Sequence, residues 1–360
     1  MNQKNYLLAL FLLLSLFFTS CEKDNEDEYV PVSPVVVDLT QVPYGKLSDY
    51  KFFEGMMKDQ NPAVGVLPYE PISQLFTDYA HKKRFVWMPA GAKATYNGDG
   101  KVLLLPTGAV LIKTFYYNNV QPNNTTRIIE TRLLIKKESE WIFAEYVWNE
   151  AQTEATLITT GAYTDIAWLE NGVPKSTNYR LPSNVECKTC HKLNEIAIPI
   201  GPKPQNLNSV LSYDDGDKNQ LEKWVEMGYL DSNYPSSINT VVDWKDTSKD
   251  LGLRVRSYVD INCAHCHQAE SYCNYRSMRF AFSETSISEN LGICMTPDES
   301  LGGGLNLIVS PGRPLRSMLD FRLNSVEQET RMPLLGRTLV HEEAVALISE
   351  WITSLEPCQD

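Results

Sequence analysis

The sequence predicts a multidomain α+β protein, with an antiparallel β-sandwich or barrel-like domain first and a mainly α region after it. Three observations lead there. Between residues 46 and 180, short β-branched and aromatic runs are separated by Gly-, Asn- and Pro-rich turns. Beyond about residue 180 the apolar period changes to that of a helix. The composition, 43% hydrophobic and 22% charged over 360 residues, supplies cores for more than one domain. It excludes a disordered chain and a polytopic membrane protein.

The first twenty residues read as targeting rather than fold. Lys4 supplies a positive start, and residues 6–18 form an apolar run too short to span a bilayer with a margin. The run ends in Thr19-Ser20-Cys21, the pattern of a bacterial lipoprotein signal in which Cys21 becomes the lipidated first residue. A plain membrane anchor is the competing reading. Residues 22–28 are a solvated acidic tether, similar to the surface-export tether of some bacterial lipoproteins. Residues 29–45, with Pro31, Pro34 and Pro43, read as an extended linker or edge strand. The expectation is an exported chain, lipid-anchored to the outer membrane on its periplasmic side or at the cell surface. Thiols can be oxidised there.

In the β region, strands are expected over residues 84–88, 101–105, 109–117, 126–136 and 140–148. Trp141, Phe143, Glu145 and Val147 alternate with Ile142, Ala144, Tyr146 and Trp148, so both faces of that strand are largely covered. Helices are expected over 219–229, 251–261 and 341–355, the last opened by Glu342 and Glu343 and stopped by Pro357. The net charge of −12 argues against a nucleic-acid partner, whose phosphates it would repel.

Two short motifs carry the chemistry. Cys187-Lys188-Thr189-Cys190-His191 and Cys263-Ala264-His265-Cys266-His267 are both C-x-x-C-H. Thiols three residues apart share one face of a turn, where each can add to a haem vinyl group; the adjacent imidazole then takes the iron. Random placement of 8 cysteines and 5 histidines in 360 residues expects on the order of 0.002 such motifs. A zinc ribbon would set its cysteine pairs about 15–20 residues apart, whereas Cys190 and Cys263 are separated by 73. A thioredoxin-like pair would sit in a βαβ unit, and none is visible. Two covalent haems c are therefore expected, held by Cys187, Cys190, Cys263 and Cys266, with His191 and His267 on the irons.

The flanks complete the second motif better than the first. A helix leads into Cys263, and Met332, 65 residues beyond His267, is the expected sixth ligand of the second iron. The alternative for Met332 is ordinary core packing. His265 is read as facing solvent. Residues 200–208 form a Gly-Pro loop expected to hand a backbone carbonyl to the free ring N–H of His191. Met227 on the 219–229 helix is the nearest candidate sixth ligand of the first iron; otherwise that haem is five-coordinate or takes another ligand. Cys273 and Cys294 flank the loop after the second motif and are a candidate disulfide, with two unpaired thiols as the alternative, and Cys358 has no assigned partner.

From about Leu75 to Ile352 the chain resembles a bacterial dihaem c-type cytochrome family, an exported lipoprotein family of conserved hypothetical repeat type. The resemblance is carried by Lys113-Thr114-Phe115, Ile129-Glu130-Thr131-Arg132-Leu133-Leu134, Tyr146-Val147-Trp148-Asn149 and Gln152-Thr153. It continues through both C-x-x-C-H motifs, Ile200-Gly201-Pro202-Lys203, Asn219-Gln220-Leu221, Pro311-Gly312 and Met332-Pro333. It implies a dihaem protein and brings no substrate. The mainly α region is then expected to be a cytochrome c-like haem domain or domains: 181–250 as the first haem-binding segment, 251–360 carrying the second haem.

Electron transfer is the leading functional expectation, with a dehydrogenase or respiratory component as redox partner. One alternative is a dihaem peroxidase-like oxidoreductase, although no distal acid/base pair can be placed from the sequence. The other is a surface binding module with a haem relay, in which Trp87, Tyr116, Tyr117, Trp141, Trp148 and Trp168 line a sugar platform rather than a core.

Overall fold

The structure is a computed structural model that describes residues 32–359. The signal, Cys21 and the acidic tether lie outside the described residues. An eight-stranded antiparallel sheet dominates: β3 (Leu67–Pro68), β4 (His81–Trp87), β5 (Val110–Val120), β6 (Thr125–Lys136), β7 (Trp141–Trp148), β8 (Ala155–Ile158), β9 (Ala162–Glu170) and β10 (Val173–Leu181). Its spine runs β10-β9-β5-β6-β7-β8, with β4 also on β5 and β3 on β4. A two-stranded ribbon, β1 (Phe53–Glu54) and β2 (Asn61–Pro62), precedes it.

Alternation sorts the side chains onto two faces. Phe85, Trp87, Val110, Ile112, Leu133, Ile135, Tyr146 and Trp148 point to one side and are covered by Leu47, Tyr50, Phe52 and Val66 from the preceding segment. Val86, Met88, Leu111 and Trp141 point to the other and meet Leu207, Leu221, Trp224 and Tyr229. These last come from α2 (Pro204–Leu207), α3 (Gln220–Glu226) and the turn after it. The sheet is thus single, each face closed by other segments rather than by a second sheet. Residues 101–105 form no strand; Leu104 makes only an isolated bridge to Thr95. Strands β8, β9 and β10 add to those the periodicity singled out, and β9–β10 is a tight hairpin. Its two loop residues, Asn171 and Gly172, both take positive φ (50° and 83°), which Asn and Gly tolerate best.

The expectation of a mainly α, cytochrome c-like second half is not met. The protein is 27% strand and 20% helix, and the described residues hold only six α-helices. The helical stripes themselves are real. In α4 (Leu251–Asn262), Val255, Tyr258 and Val259 pack on Leu347, Ile348, Trp351 and Ile352 of α6 (Glu342–Ser354). The chain between them is what departs. Residues 263–317 form turns with two short 3₁₀ segments, Ser288–Leu291 and Pro314–Arg316, before α5 (Met318–Asn324). Ion pairs such as Arg276 with Asp298 and Glu299 hold this stretch instead of a helical ladder. Pro34–Asp360 forms one compact unit. Among the described residues no helix is long and apolar enough to cross a membrane.

The disulfide also differs from the expected one. Cys294 bonds Cys358, and Cys273 is a buried free thiol. Folding brings the C-terminal segment after α6 back to the loop, so Cys358 has the partner that sequence spacing gave to Cys273. The bridge closes a loop of sequence separation 64. Loop-closure entropy makes such a bridge worth about 4 kcal/mol. Cys358→Ser is expected to lower the urea midpoint accordingly, while Cys273→Ser, which breaks no bridge, loses much less.

Candidate functional site

The first motif is delivered by β10. Ser183 caps α1 (Asn184–Cys190): its hydroxyl accepts from the Glu186 amide while the Glu186 carboxylate accepts from the Ser183 N–H, a reciprocal capping box. Cys187 and Cys190 lie one turn apart on this helix, and His191 ends it. The His191 Nδ1–H donates to the Ile198 carbonyl at 3.0 Å, which fixes the tautomer and leaves Nε2 with its lone pair. The carbonyl comes from the residue after the β11–β12 ribbon (Lys192–Leu193, Ile196–Ala197), just ahead of the Gly-Pro loop expected to supply it. The His191 ring lies 5.2 Å from that of Phe143 on β7. Burial pulls its pKa down to about 3, so the imidazole is neutral and ready to bind a metal.

The second motif continues α4. Cys263 caps the helix, its N–H bonded to the Val259 carbonyl at 2.8 Å, and the His267 N–H reaches the Cys263 carbonyl at 3.0 Å. The Ser271 hydroxyl closes the turn on the Cys266 and Gln268 carbonyls. His267 is buried, 5.2 Å from the Phe280 ring, and burial lowers its pKa to about 4. Its Nδ1 is buried with no hydrogen-bond partner among the described residues. Burial likewise raises the Cys187 and Cys263 thiols, to about 11 and 12.

Each motif opens on its own cavity. The first, about 1050 Å³ with its solvent mouth, is walled by Cys187, Cys190, His191, Phe143 and Glu145. The second, about 1300 Å³ on the same measure, is walled by Cys263, Cys266, His267, Phe280, Met318 and Met332. They share a wall made by Cys190, Asn262, His265, Pro333 and Leu335. Asn262 is fixed there by its amide on the Tyr258 carbonyl and by the Phe76 N–H on its Oδ1. The loop bearing Met332 is clamped by buried Arg337, whose guanidinium donates to the carbonyls of Met332, Arg322, Leu323, Ser325 and Leu339.

Two sequence expectations fail at this site. Met227 lies in neither wall: α3 turns Leu221 and Trp224 into the sheet, and Met227 at its end emerges 38% exposed. His265 is not solvent-facing. One of its ring nitrogens lies within 4.8 Å of the Cys190 and Cys266 sulfurs, and its Nδ1 is buried without a hydrogen-bond partner among the described residues. The Cys266 thiol beside it, with His265, holds the Cys190 thiol well below its usual range, and Cys190 in turn holds Cys266 in its protonated form. Two thiols and an imidazole would also suit a soft cation such as zinc.

Glu145 was legible only as a strand residue. It is 2% exposed in the first cavity's wall, close to Glu130 and with Arg132 Nε 4.0 Å away. Burial, with Glu130 beside it, pushes its pKa up to about 10. Trp87, Tyr117, Trp141, Trp148 and Trp168 are all buried and only Tyr116 is half-buried, so these aromatics are core rather than a sugar platform. The residues present fit two covalent haems: two thiol pairs on cavity walls, each beside an imidazole whose pKa keeps it neutral. No protein-family model, no curated protein and no solved structure matches this chain.

Proposed function

We propose that this chain is an exported, lipid-anchored dihaem c-type cytochrome that transfers electrons through two covalently bound haems. The observation that carries the reading is the paired geometry: each C-x-x-C-H turn stands at the wall of its own cavity, and His191 already has its Nδ1–H occupied by a carbonyl. When bound, each haem supplies a one-electron iron couple. The Cys187/Cys190 and Cys263/Cys266 thiols would hold it covalently, and His191 and His267 would donate ring nitrogen lone pairs to its iron. Met332, held by the Arg337 clamp, lines the same cavity as His267 and would offer its thioether there, which would raise the potential of that centre relative to two imidazoles. Cys21 carries the lipid anchor. The net charge of −12 suits a basic redox partner, a dehydrogenase or respiratory component, whose association slows as salt rises.

Haem staining and a pyridine haemochrome spectrum on chain matured in an export-competent host test this; two haems per chain are expected. A mature chain that is colourless and has only its polypeptide mass would overturn it. Met332→Ala is expected to lower one midpoint potential and abolish the sulfur-to-iron charge-transfer band, with haem content unchanged. A peroxidase-like reading draws on Glu145, a protonated carboxyl in the first cavity. Peroxide turnover above that of free haem, lost in Glu145→Gln, would favour it over simple electron transfer.

A further inference from the structure

We infer that His265, an intervening residue of the second motif, is the sixth iron ligand of the first haem. This rests on the dihaem reading above. The first cavity needs a ligand across from His191, and Met227 is outside it. Of the other wall groups able to bind iron, Tyr179 donates its hydroxyl to Glu130 at 2.6 Å, and the Asp78 carboxylate accepts from the Thr338 and Leu339 N–H groups at 2.7 and 2.8 Å. Glu186 is committed to Arg180 at 2.7 Å and to the Ser183 N–H at 2.7 Å. Glu145 lies beside Arg132 and is a poor ligand while protonated. His265 is in the wall with a buried Nδ1 that has no hydrogen-bond partner among the described residues.

The turn geometry explains how one motif serves two irons. The Cys263 carbonyl accepts from the His267 N–H, so residues 263–267 follow one helical turn. At 3.6 residues per turn, side chains two apart project to nearly opposite sides. His267 serves the second cavity; His265 stands where the two cavities meet, its ring against Cys190 of the first motif. The first haem then has two imidazole ligands and the second has His267 with Met332. Their potentials are split, the first lower, so electrons pass downhill from the first to the second. A single residue, Cys266, separates the two ligands in the chain, which couples the centres mechanically.

The test uses mature full-length protein, first shown by mass to carry two haems, with electron paramagnetic resonance and near-infrared magnetic circular dichroism as readouts. Wild type is expected to show one bis-imidazole and one imidazole–thioether haem. His265→Ala is expected to turn one haem of the two high-spin and leave the thioether band untouched. His265→Met is expected to replace the bis-imidazole signature with a second thioether band, and it decides the matter should the alanine variant mature poorly. Two haems without a bis-imidazole signal in wild type, or with that signal intact in His265→Met, would overturn the assignment while leaving the dihaem reading standing. A haem-free wild type would instead remove the reading beneath it.

Discussion

Replacing Cys263 and Cys266 together with serine is expected to halve the proposed covalent haem load, from two per chain to one. A serine hydroxyl does not add across a vinyl group as a thiol does, and the thiols left on the second cavity's wall are buried Cys273 and Cys190 of the first motif. The second cavity adjoins the core of α4 and α6 through Ile308 and Leu323, so losing its occupant also strips packing from that core. Stability is expected to fall by more than the two small substitutions account for, because apolar walls lose partner atoms. The first haem stays, and with it the bis-imidazole signature if His265 keeps its place. Mass spectrometry reads the haem count directly. A wild-type chain that holds zinc at Cys190, His265 and Cys266 and no porphyrin would turn the same variant into a metal-loss mutant and sink the haem account.

Asp260→Ala is expected to cost about 3–5 kcal/mol, the scale for removing one partner of a buried ion pair. Asp260 is 2% exposed on α4, three residues before Cys263. Its carboxylate accepts from Lys203 Nζ at 3.1 Å on both oxygens, from Gln205 Nε2 at 3.1 Å and from the Phe282 N–H at 3.0 Å. One side chain thereby ties the Gly-Pro loop and α2 to the helix that carries the second motif and to the loop beyond it. Alanine leaves the Lys203 ammonium largely buried and three donors without their acceptor. Asp260→Asn keeps the shape and part of the hydrogen bonding, so it should fall between. Urea denaturation of the haem-loaded protein, followed by tryptophan fluorescence, checks both. A midpoint for the alanine variant within error of wild type would show that this network does not bear on stability.

Much of the site was legible because it is local. The C-x-x-C-H spacing depends only on which side chains share a turn, and it named six of the groups that wall the two cavities. Local alternation likewise gave the antiparallel strands at 109–117, 126–136 and 140–148. Helical spacing gave α3, α4 and α6, and the Trp351 helix does pack on the motif helix. Met332, chosen by reach along the chain, lines the second cavity.

The errors are all long-range. Apolar spacing showed that α3 has a buried face, but not that the sheet would claim that face and push Met227 outward. Cys294 was paired with its neighbour in sequence, whereas closure of the last segment brings Cys358 to it. The stretch 263–317 was absorbed into an α domain because two good helices flank it. Its own residues are held by ion pairs, turns and a disulfide that no periodicity records.

What the sequence determined by itself is the chemistry on offer: two thiol pairs, an imidazole directly after each, and the strands and helices whose short-range patterns need no partner. What only the tertiary structure decided is how that chemistry is shared. It turned His265 from an assumed surface residue into part of a wall common to both cavities, set Glu145 in the first of them and took Met227 out. The physical reason is that a side chain's direction follows from its own turn, while its neighbours follow from how distant segments close the core.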